Sequence, residues 1–447
     1  MIIDTALAER QRTGRPIRIG LVGAGFMGRS MTRQIIQFIE GMDVVAISNR
    51  TVDHAARCFA DAGVDEVRQA SDTVEFEAAV TKGSRVMTDD PTLICRSPSI
   101  DAVIEATGEL EFGAQVAVEA IDAGKDVLLV NAELDATVGP ILKARADRAG
   151  VVITNADGDE PGVAMNLVRF VRTIGLRPVM AGNIKGFYDP HRDPDTQLGF
   201  AQAHGLTPKM ATSFADGTKL SMECAVLANA TGFGVAKRGM IGHRCAHVRE
   251  LATLHDPLDL LERPLVDFVV GAEPGSGTFV VGYDDDEDRA KYMAYFKMGD
   301  GPLYVFYRPF HITHLEAPLS VARAVLFRDA TVAPIGGPAC EVVAVAKRDL
   351  QPGDVLDGVG GFTCYGMIEG TVASRDEDLL PMGLIDGCTV RRPVPQDQAL
   401  GFEDVEIPAG RLIDQLWREQ AERFGMGLKR SEVPKVAALG SAVGTPR

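Results

Sequence analysis

Residues 16–36 read PIRIGLVGAGFMGRSMTRQII, and this stretch narrows the possible folds more than any other. An apolar run, Ile17 to Val22, passes into Gly23-Ala24-Gly25-Phe26-Met27-Gly28, and a helical pattern starts at once. In a strand–loop–helix unit the first glycine permits the tight turn. The second admits a pyrophosphate close to the backbone, and the third lets helix and strand pack. The helix start adds oriented N–H groups for phosphate. Gly23, Gly25, Phe26, Met27 and Gly28 are therefore expected to hold a dinucleotide. The next strand, DVVAISNR (43–50), ends in Ser48-Asn49-Arg50-Thr51. An NAD site usually ends this strand with an acid that bonds the ribose 2′-hydroxyl. None stands here, and Arg50 can fork onto a 2′-phosphate. NADP(H) is the expected cofactor, with Asn49, Arg50 and Thr51 around its adenosine.

The alternation of strands and helices continues through AVIEATGE (102–109), KDVLLVNAE (125–133) and VVITNADGDEP (151–161). Such alternation specifies a parallel, doubly wound sheet, with ligands beyond the carboxyl ends of its strands. Thr107 and Gly108 fall where a nicotinamide would lie, and Asn131, Glu133, Asp157, Asp159 and Glu160 fall beside the same cleft. The expected fold class is α/β: an N-terminal Rossmann domain (1–160), a central α/β catalytic and oligomerisation domain (161–305), and a small β-rich domain (335–440). A helix within 306–330 is expected to pack back on the first domain. The central strand-like stretches are PVMAGNIKGF, MATSFADG, PLVDFVVG, GTFVVGYD and PLYVFYRP.

The formal net charge of −16 disfavours nucleic-acid or anionic-membrane partners. It leaves room for a small anionic substrate met by a local cation cluster. Seven scattered cysteines with no CxxC pair fit a reducing cytoplasm. The acidic run DDDED (284–288) reads as a solvated loop, and the tail SAVGTPR as disordered.

The chemistry centres on DGTKLSMECAVLAN (216–229). A helix apolar nearly all round is normally buried, yet it carries Lys219 and Glu223 four residues apart. Lys219, Glu223, Asp216, Glu160 and Glu133 are the candidate catalytic groups. Asp159, Glu160 and Glu223 are candidate ligands for Mg²⁺ or Mn²⁺, which favour carboxylates. Lys185, His191, Arg192 and Arg244 are candidate clamps for a substrate phosphate or carboxylate. His243 and His247 could face one way on a helix and read as structural. His311 and His314 read as packing near the cofactor, with no metal assigned.

The motifs GAGFMG, EATGE, VNAELDATVGP and NADGDEPGVAMNLVRF together resemble the homoserine dehydrogenase superfamily. TSFADGTKLSMECAVLANATG, FYRPFHITHLEAPLSVARAVL and CEVVAVAKRDLQPGDVLDGVG resemble its DXR-like (DRL) branch more closely. That resemblance implies an NADPH-dependent, metal-assisted reductoisomerase of a small anionic ketose such as 1-deoxy-D-xylulose 5-phosphate, in isoprenoid biosynthesis. The alternative it implies is an oxidoisomerase or dehydrogenase of a non-phosphorylated branched sugar acid, as in relatives of this branch. A homo-oligomer, dimer or tetramer, goes with it. A simple dehydrogenase and a cofactor-binding assembly protein are the other readings. Two departures from homoserine dehydrogenases stand out: Asn131-Ala132-Glu133 lacks their lysine, and Lys219–Glu223 inverts their acid–lysine order. The loop 181–197, with Phe187, Tyr188, His191 and Arg192, also departs from the DRL pattern. The 335–440 region resembles a SAF-type β-clip, a module found in proteins of unrelated function.

Overall fold

The computed structural model describes residues 2–427; the SAVGTPR tail lies outside them. Seven strands form the first sheet: β1 (Ile17–Val22), β2 (Met42–Ser48), β3 (Val67–Gln69), β4 (Arg85–Thr88), β5 (Ala102–Glu105), β6 (Asp126–Leu129) and β7 (Ile153–Asn155). Their order is β3-β4-β2-β1-β5-β6-β7, and every pairing is parallel. β5 and β6 are buried at all four positions, as strands covered on both faces must be. The strand order reverses direction between β1 and β5, and the ligand cleft of an open α/β sheet opens there. Helix α1 (Phe26–Phe38) leaves the glycine loop at that point, and α2 (Leu110–Asp122) and α3 (Ala132–Ala149) follow β5 and β6. Gly23 has φ +108°, and a Cβ there would lie 2.6 Å from the Ala106 carbonyl oxygen. Only glycine fits.

Helix α4 (Glu160–Thr173) leads into a second sheet of β8 (Arg177–Lys185), β9 (Leu265–Val270), β10 (Gly277–Tyr283) and β11 (Leu303–Arg308). Its order is β11-β10-β8-β9, with β8 and β9 parallel. Four of the five expected strands are there. The fifth, MATSFADG, is instead α5 (Pro208–Ala215): Thr207 caps the Met210 N–H and Pro208 takes the first helical turn. That start signal overrides the β-like run of Thr, Ser and Phe. α6 (Thr218–Thr231) follows directly, and every residue in it except Lys219 is buried. One smaller expectation is corrected. His243 and His247 lie on an extended segment bridged to Val269 and Glu273, not on a helix. In DDDED, Asp284 pairs with Arg289, and Asp286 caps the Asp288 and Arg289 N–H groups.

Helix α7 (Thr313–Phe327) returns to pack on α1 and β6. The C-terminal part pairs β12 (Cys340–Ala346) with β13 (Cys364–Gly370), and β14 (Thr389–Val390) with β15 (Val405–Glu406), both antiparallel. Isolated bridges such as Val343–Pro381 and Val345–Ala399 join the turns between them. The chain then forms a helix that the strand-like reading of this region passed over, α8 (Leu412–Arg423), which packs on α2 and α3. Among the described residues no helix is long and apolar enough to cross a membrane.

Candidate active site

Three elements bring charged groups together where the two sheets meet. The start of α3 carries Glu133, the start of α4 carries Asp159 and Glu160, and α6 carries Lys219 and Glu223. The Lys219 ammonium lies 3.8 Å from Glu133 Oε1, 3.7 Å from Asp159 Oδ2 and 3.6 Å from Glu223 Oε1. The end of β8 adds a second cation. Lys185 Nζ donates to Glu160 and lies 3.3 Å from Glu223 Oε2. Asn183, two residues earlier on the same strand face, donates to Glu223 Oε2 at 2.8 Å. His311, just before α7, holds Nε2 3.6 Å from Glu160 Oε1.

Burial would drive every one of these charges to neutrality, so the neighbours decide. Burial pushes the Glu160 carboxyl up, but Lys185 and His311 outweigh it and hold it at about 2. Burial, then the charge of Glu160, lifts Glu223 well above the carboxylate range, against Lys185 and Lys219. Asp159 is raised by burial despite Lys219. For both lysines burial favours the neutral amine, yet the surrounding carboxylates keep them above the usual lysine range. The cluster thus combines two lysines held cationic, a Glu160 held ionised and a Glu223 whose carboxyl is pushed toward its protonated form.

Among the cofactor candidates, Asn49 accepts from the Ala24 N–H at 3.1 Å and donates to the Thr51 carbonyl at 2.9 Å, tying β2 to the glycine loop. Open space surrounds the Cβ direction of Gly25, as a pyrophosphate cradle requires, whereas a Cβ on Gly28 would run into the Gly23 carbonyl. Met27 packs into the nucleotide-domain core, and Phe26 meets the His314 ring edge-on at 6.4 Å. Arg50 is exposed and forms no ion pair among the described residues, and Thr51 starts the next helix without a side-chain cap. Gly108 takes φ +73° with nothing near its Cβ direction. Asn131 caps the Leu134 N–H at 3.1 Å.

Several expected site residues have other partners. Asp216 pairs with Lys347 at 2.8 Å and caps the Thr218 N–H, so its carboxylate supports α6 from behind. Asp157 accepts from Asn166 at 2.9 Å. Lys185 spends its charge on Glu160 and Glu223 rather than as a free clamp. His191 contacts Asp397, Arg192 contacts Asp189 and covers the Phe187 ring, and Arg244 is exposed in a loop. None of these three has a contact with the acidic cluster. His311 joins the site although the sequence marked it only as packing, and Asn183 and Glu105 enter unannounced. The one signal for Asn183 was a pair of polar positions, Asn183 and Lys185, alternating in an apolar strand.

Glu105 ends β5 directly beneath Thr107. Its Oε1 accepts from the Thr107 N–H at 2.8 Å and from the Thr107 hydroxyl, while its Oε2 is buried without a partner. Burial pushes this carboxyl up to about 7, only partly offset by Thr107 and Asn131. A folded-state pKa above the unfolded one gives stability that is complete at low pH and lost as pH rises through the folded value. Wild-type unfolding free energy, read from urea melts, is therefore expected to drop relative to Glu105→Gln by up to roughly 3 kcal/mol between about pH 5 and pH 8. Parallel pH curves for the two chains would remove this role.

Residues 17–129 match the family described as oxidoreductase family, NAD-binding Rossmann fold. Residues 158–317 match the one described as oxidoreductase DRL, catalytic domain. The chain is an NAD(P)-dependent oxidoreductase. Its acidic cluster lies at the join of the two matched segments, with Glu133 between them and the other groups inside the second. No curated protein matches the chain in sequence. Among solved structures, a probable dehydrogenase from Thermotoga maritima is 13% identical with TM-score 0.41, over 72% of this chain and 91% of its own. A homoserine dehydrogenase from Thiobacillus denitrificans is 17% identical with TM-score 0.41, over 76% and 83%. A 1-deoxy-D-xylulose 5-phosphate reductoisomerase from Zymomonas mobilis, complexed with NADPH, is 16% identical with TM-score 0.33, over 47% and 56%. These likenesses are distant, and no residue's role follows from them.

Proposed function

We propose that the oxidoreductase is an NADPH-type, cation-assisted isomerising enzyme for a small polyhydroxy acid or α-hydroxyketone that carries no phosphate. The observation that carries this reading is the charge balance of the cluster. Both lysines that reach it are matched by carboxylates, and no further unpaired Lys or Arg of the described residues joins them. A phosphate dianion would find no uncommitted ammonium group there, since both lysines are already engaged by carboxylates. This moves the preference from a ketose phosphate to the sugar-acid alternative.

Asp159, Glu160 and His311 offer ligand atoms within 4.8 Å of one another. Asp159 Oδ2 is buried without a hydrogen-bond partner, and His311 Nε2 lies 3.6 Å from Glu160 Oε1, so the donor set fits a divalent cation. One imidazole among carboxylates suits Mn²⁺ better than Mg²⁺. Held by Asp159, Glu160 and His311, such a cation would supply Lewis-acid polarisation of adjacent hydroxyl and carbonyl oxygens, and a nicotinamide cofactor at the glycine loop would supply the hydride-transfer chemistry. Lys219 keeps a permanent ammonium beside the reacting carbon–oxygen bond and stabilises an alkoxide as it forms. Glu223, its carboxyl pushed toward the protonated form by burial and Glu160, lies between the two ammonium groups, where it is placed to give and recover a proton. Asn183 fixes the orientation of that carboxyl.

The test is wild-type protein with NADP⁺ or NADPH, with and without Mn²⁺, against four- to six-carbon aldonic acids and 1-deoxy-D-xylulose 5-phosphate. Nicotinamide absorbance and the ¹³C spectrum of the product are read. A product with an unaltered carbon skeleton would leave a plain dehydrogenase, and preference for the phosphate ester would overturn the charge-balance reading. For the cofactor, Arg50→Asp is expected to weaken NADPH binding about tenfold or more while changing NADH little, since it replaces a phosphate clamp by a repelling acid. Fluorescence titration with both nucleotides checks this, and equal losses would exclude a 2′-phosphate contact.

A further inference from the structure

The two matched segments stop at residue 317, yet the C-terminal part grips two of the three helices that build the acidic cluster, α6 and α3. On α6 the grip lies on either side of Lys219. The Gly366 N–H on β13 donates to the Thr218 hydroxyl at 2.8 Å, and the Ser221 hydroxyl donates to the Gly366 carbonyl at 3.0 Å. One peptide strand thus holds the residue before Lys219 and the residue two after it. Its approach is so close that a Cβ on Gly366 would lie 2.8 Å from Val342 and 3.0 Å from the Thr218 methyl. A third contact fixes the turn into the helix. Lys347, just past β12, donates to Asp216 Oδ2 and to the Gly361 carbonyl, each at 2.8 Å, and Asp216 caps the Thr218 N–H.

On α3 the grip enters the helix itself. Pro140 interrupts α3 eight residues after its start. There the Gln420 side chain of α8 accepts from the Ile141 N–H at 3.2 Å and donates to the Thr137 carbonyl at 3.1 Å. These are the donor and acceptor that an uninterrupted helix would join directly. One turn earlier, the Thr137 hydroxyl donates to the carbonyl of Glu133 at 2.7 Å. The start of α8 is bonded in turn to Glu111 of α2, through the Leu412 and Ile413 N–H groups at 2.9 Å each.

We infer that the C-terminal module is a positioning part of the active site: β13 and Lys347 set α6, Gln420 sets α3, and together they fix Lys219 against Glu133, Asp159 and Glu223. Lys347, Gly366, Thr218, Ser221 and Gln420 are positioning residues, since none has a contact with the reacting cluster. The inference rests on Lys219 as the working ammonium, but its test does not require turnover.

The test is competitive labelling of the full-length protein with acetic anhydride, read lysine by lysine by mass spectrometry. Lys219 is expected to label slowly in the wild type, because it is largely shielded where α3, α4 and α6 meet. The variant Thr218→Val with Ser221→Ala removes both hydroxyls and leaves the side-chain bulk. There Lys219 is expected to label about tenfold faster or more, as easier local opening of the helix start exposes it to the reagent. Lys185, held from β8, should be unchanged. Gln420→Met tests the second grip and should move Lys219 in the same direction. Lys347→Arg, which keeps the charge facing Asp216, should stay near wild type. NADPH affinity and melting temperature report whether the fold survives. Unchanged Lys219 labelling in both disrupting variants overturns the inference. So does a rise shared with Lys185, with lost NADPH binding or with lost fold, because the contacts would then support the structure at large. If labelling shifts as stated while Lys219→Ala still turns over, the positioning stands and the catalytic reading of Lys219 falls instead.

Discussion

Lys219→Ala is expected to lower kcat by about 10³-fold or more, while NADPH binds with near wild-type affinity. The ammonium is within 3.8 Å of three carboxylates on three different elements. In water such contacts are worth little, but here the side chain is largely shielded and all three acids are more buried or equally so. The helix bearing it is buried, so the charge stays in place as the reaction proceeds, and fixed charge is what stabilises a developing oxyanion. The fold should survive, because burial already pushes the Asp159 and Glu223 carboxyls toward their neutral forms, so losing the cation strands little charge. Nicotinamide absorbance with the fastest aldonic acid gives kcat, and fluorescence gives the NADPH constant. A kcat within a few-fold of wild type would return the Lys219–Glu223 pair to a structural role.

Lys185→Met should cost stability as well as activity. Lys185 is the main reason that the buried Glu160 carboxyl stays ionised. Removing one partner of a buried pair typically costs about 3–5 kcal/mol. A group with a depressed folded pKa contributes stability above its unfolded pKa and loses it as pH falls through the folded value. The deficit of Lys185→Met should therefore be full near neutrality and shrink toward about pH 2, where the wild type loses the same contribution. Urea melts at several pH values measure it. A second variant, Lys185→Met with Glu160→Gln, is expected to recover most of the stability and none of the turnover. A pH-independent deficit would mean that Lys185 acts through packing alone.

The Rossmann half was legible because its signals are local. A glycine loop follows an apolar strand, and each later strand is a short buried run. Lys219 and Glu223 were legible for a related reason, as charges on a helix that had no polar face to put them on. What stayed hidden depends on distance along the chain. Asp216 looked catalytic until Lys347, 131 residues away, was seen to claim it. Gln420 completes a helix 279 residues earlier, which no reading of spacing reveals. His311 stands in a loop whose direction only the packed helix after it decides. The substrate clamps failed for a different reason. A basic residue in sequence shows its charge but not its partner, and Lys185, His191 and Arg192 are each already paired with an acid.

Helix α6 touches α3 of the nucleotide domain, α4, α5, β8 and β9 of the central one, and β12 and β13 of the C-terminal module. Its residues other than Lys219 are all buried, so none of these neighbours can leave without exposing an apolar surface. The three parts are thus one cooperative unit with a shared keystone. The amides of α6 belong among the last to exchange with solvent, and removing the C-terminal module would unseat the other two rather than leave a smaller working enzyme.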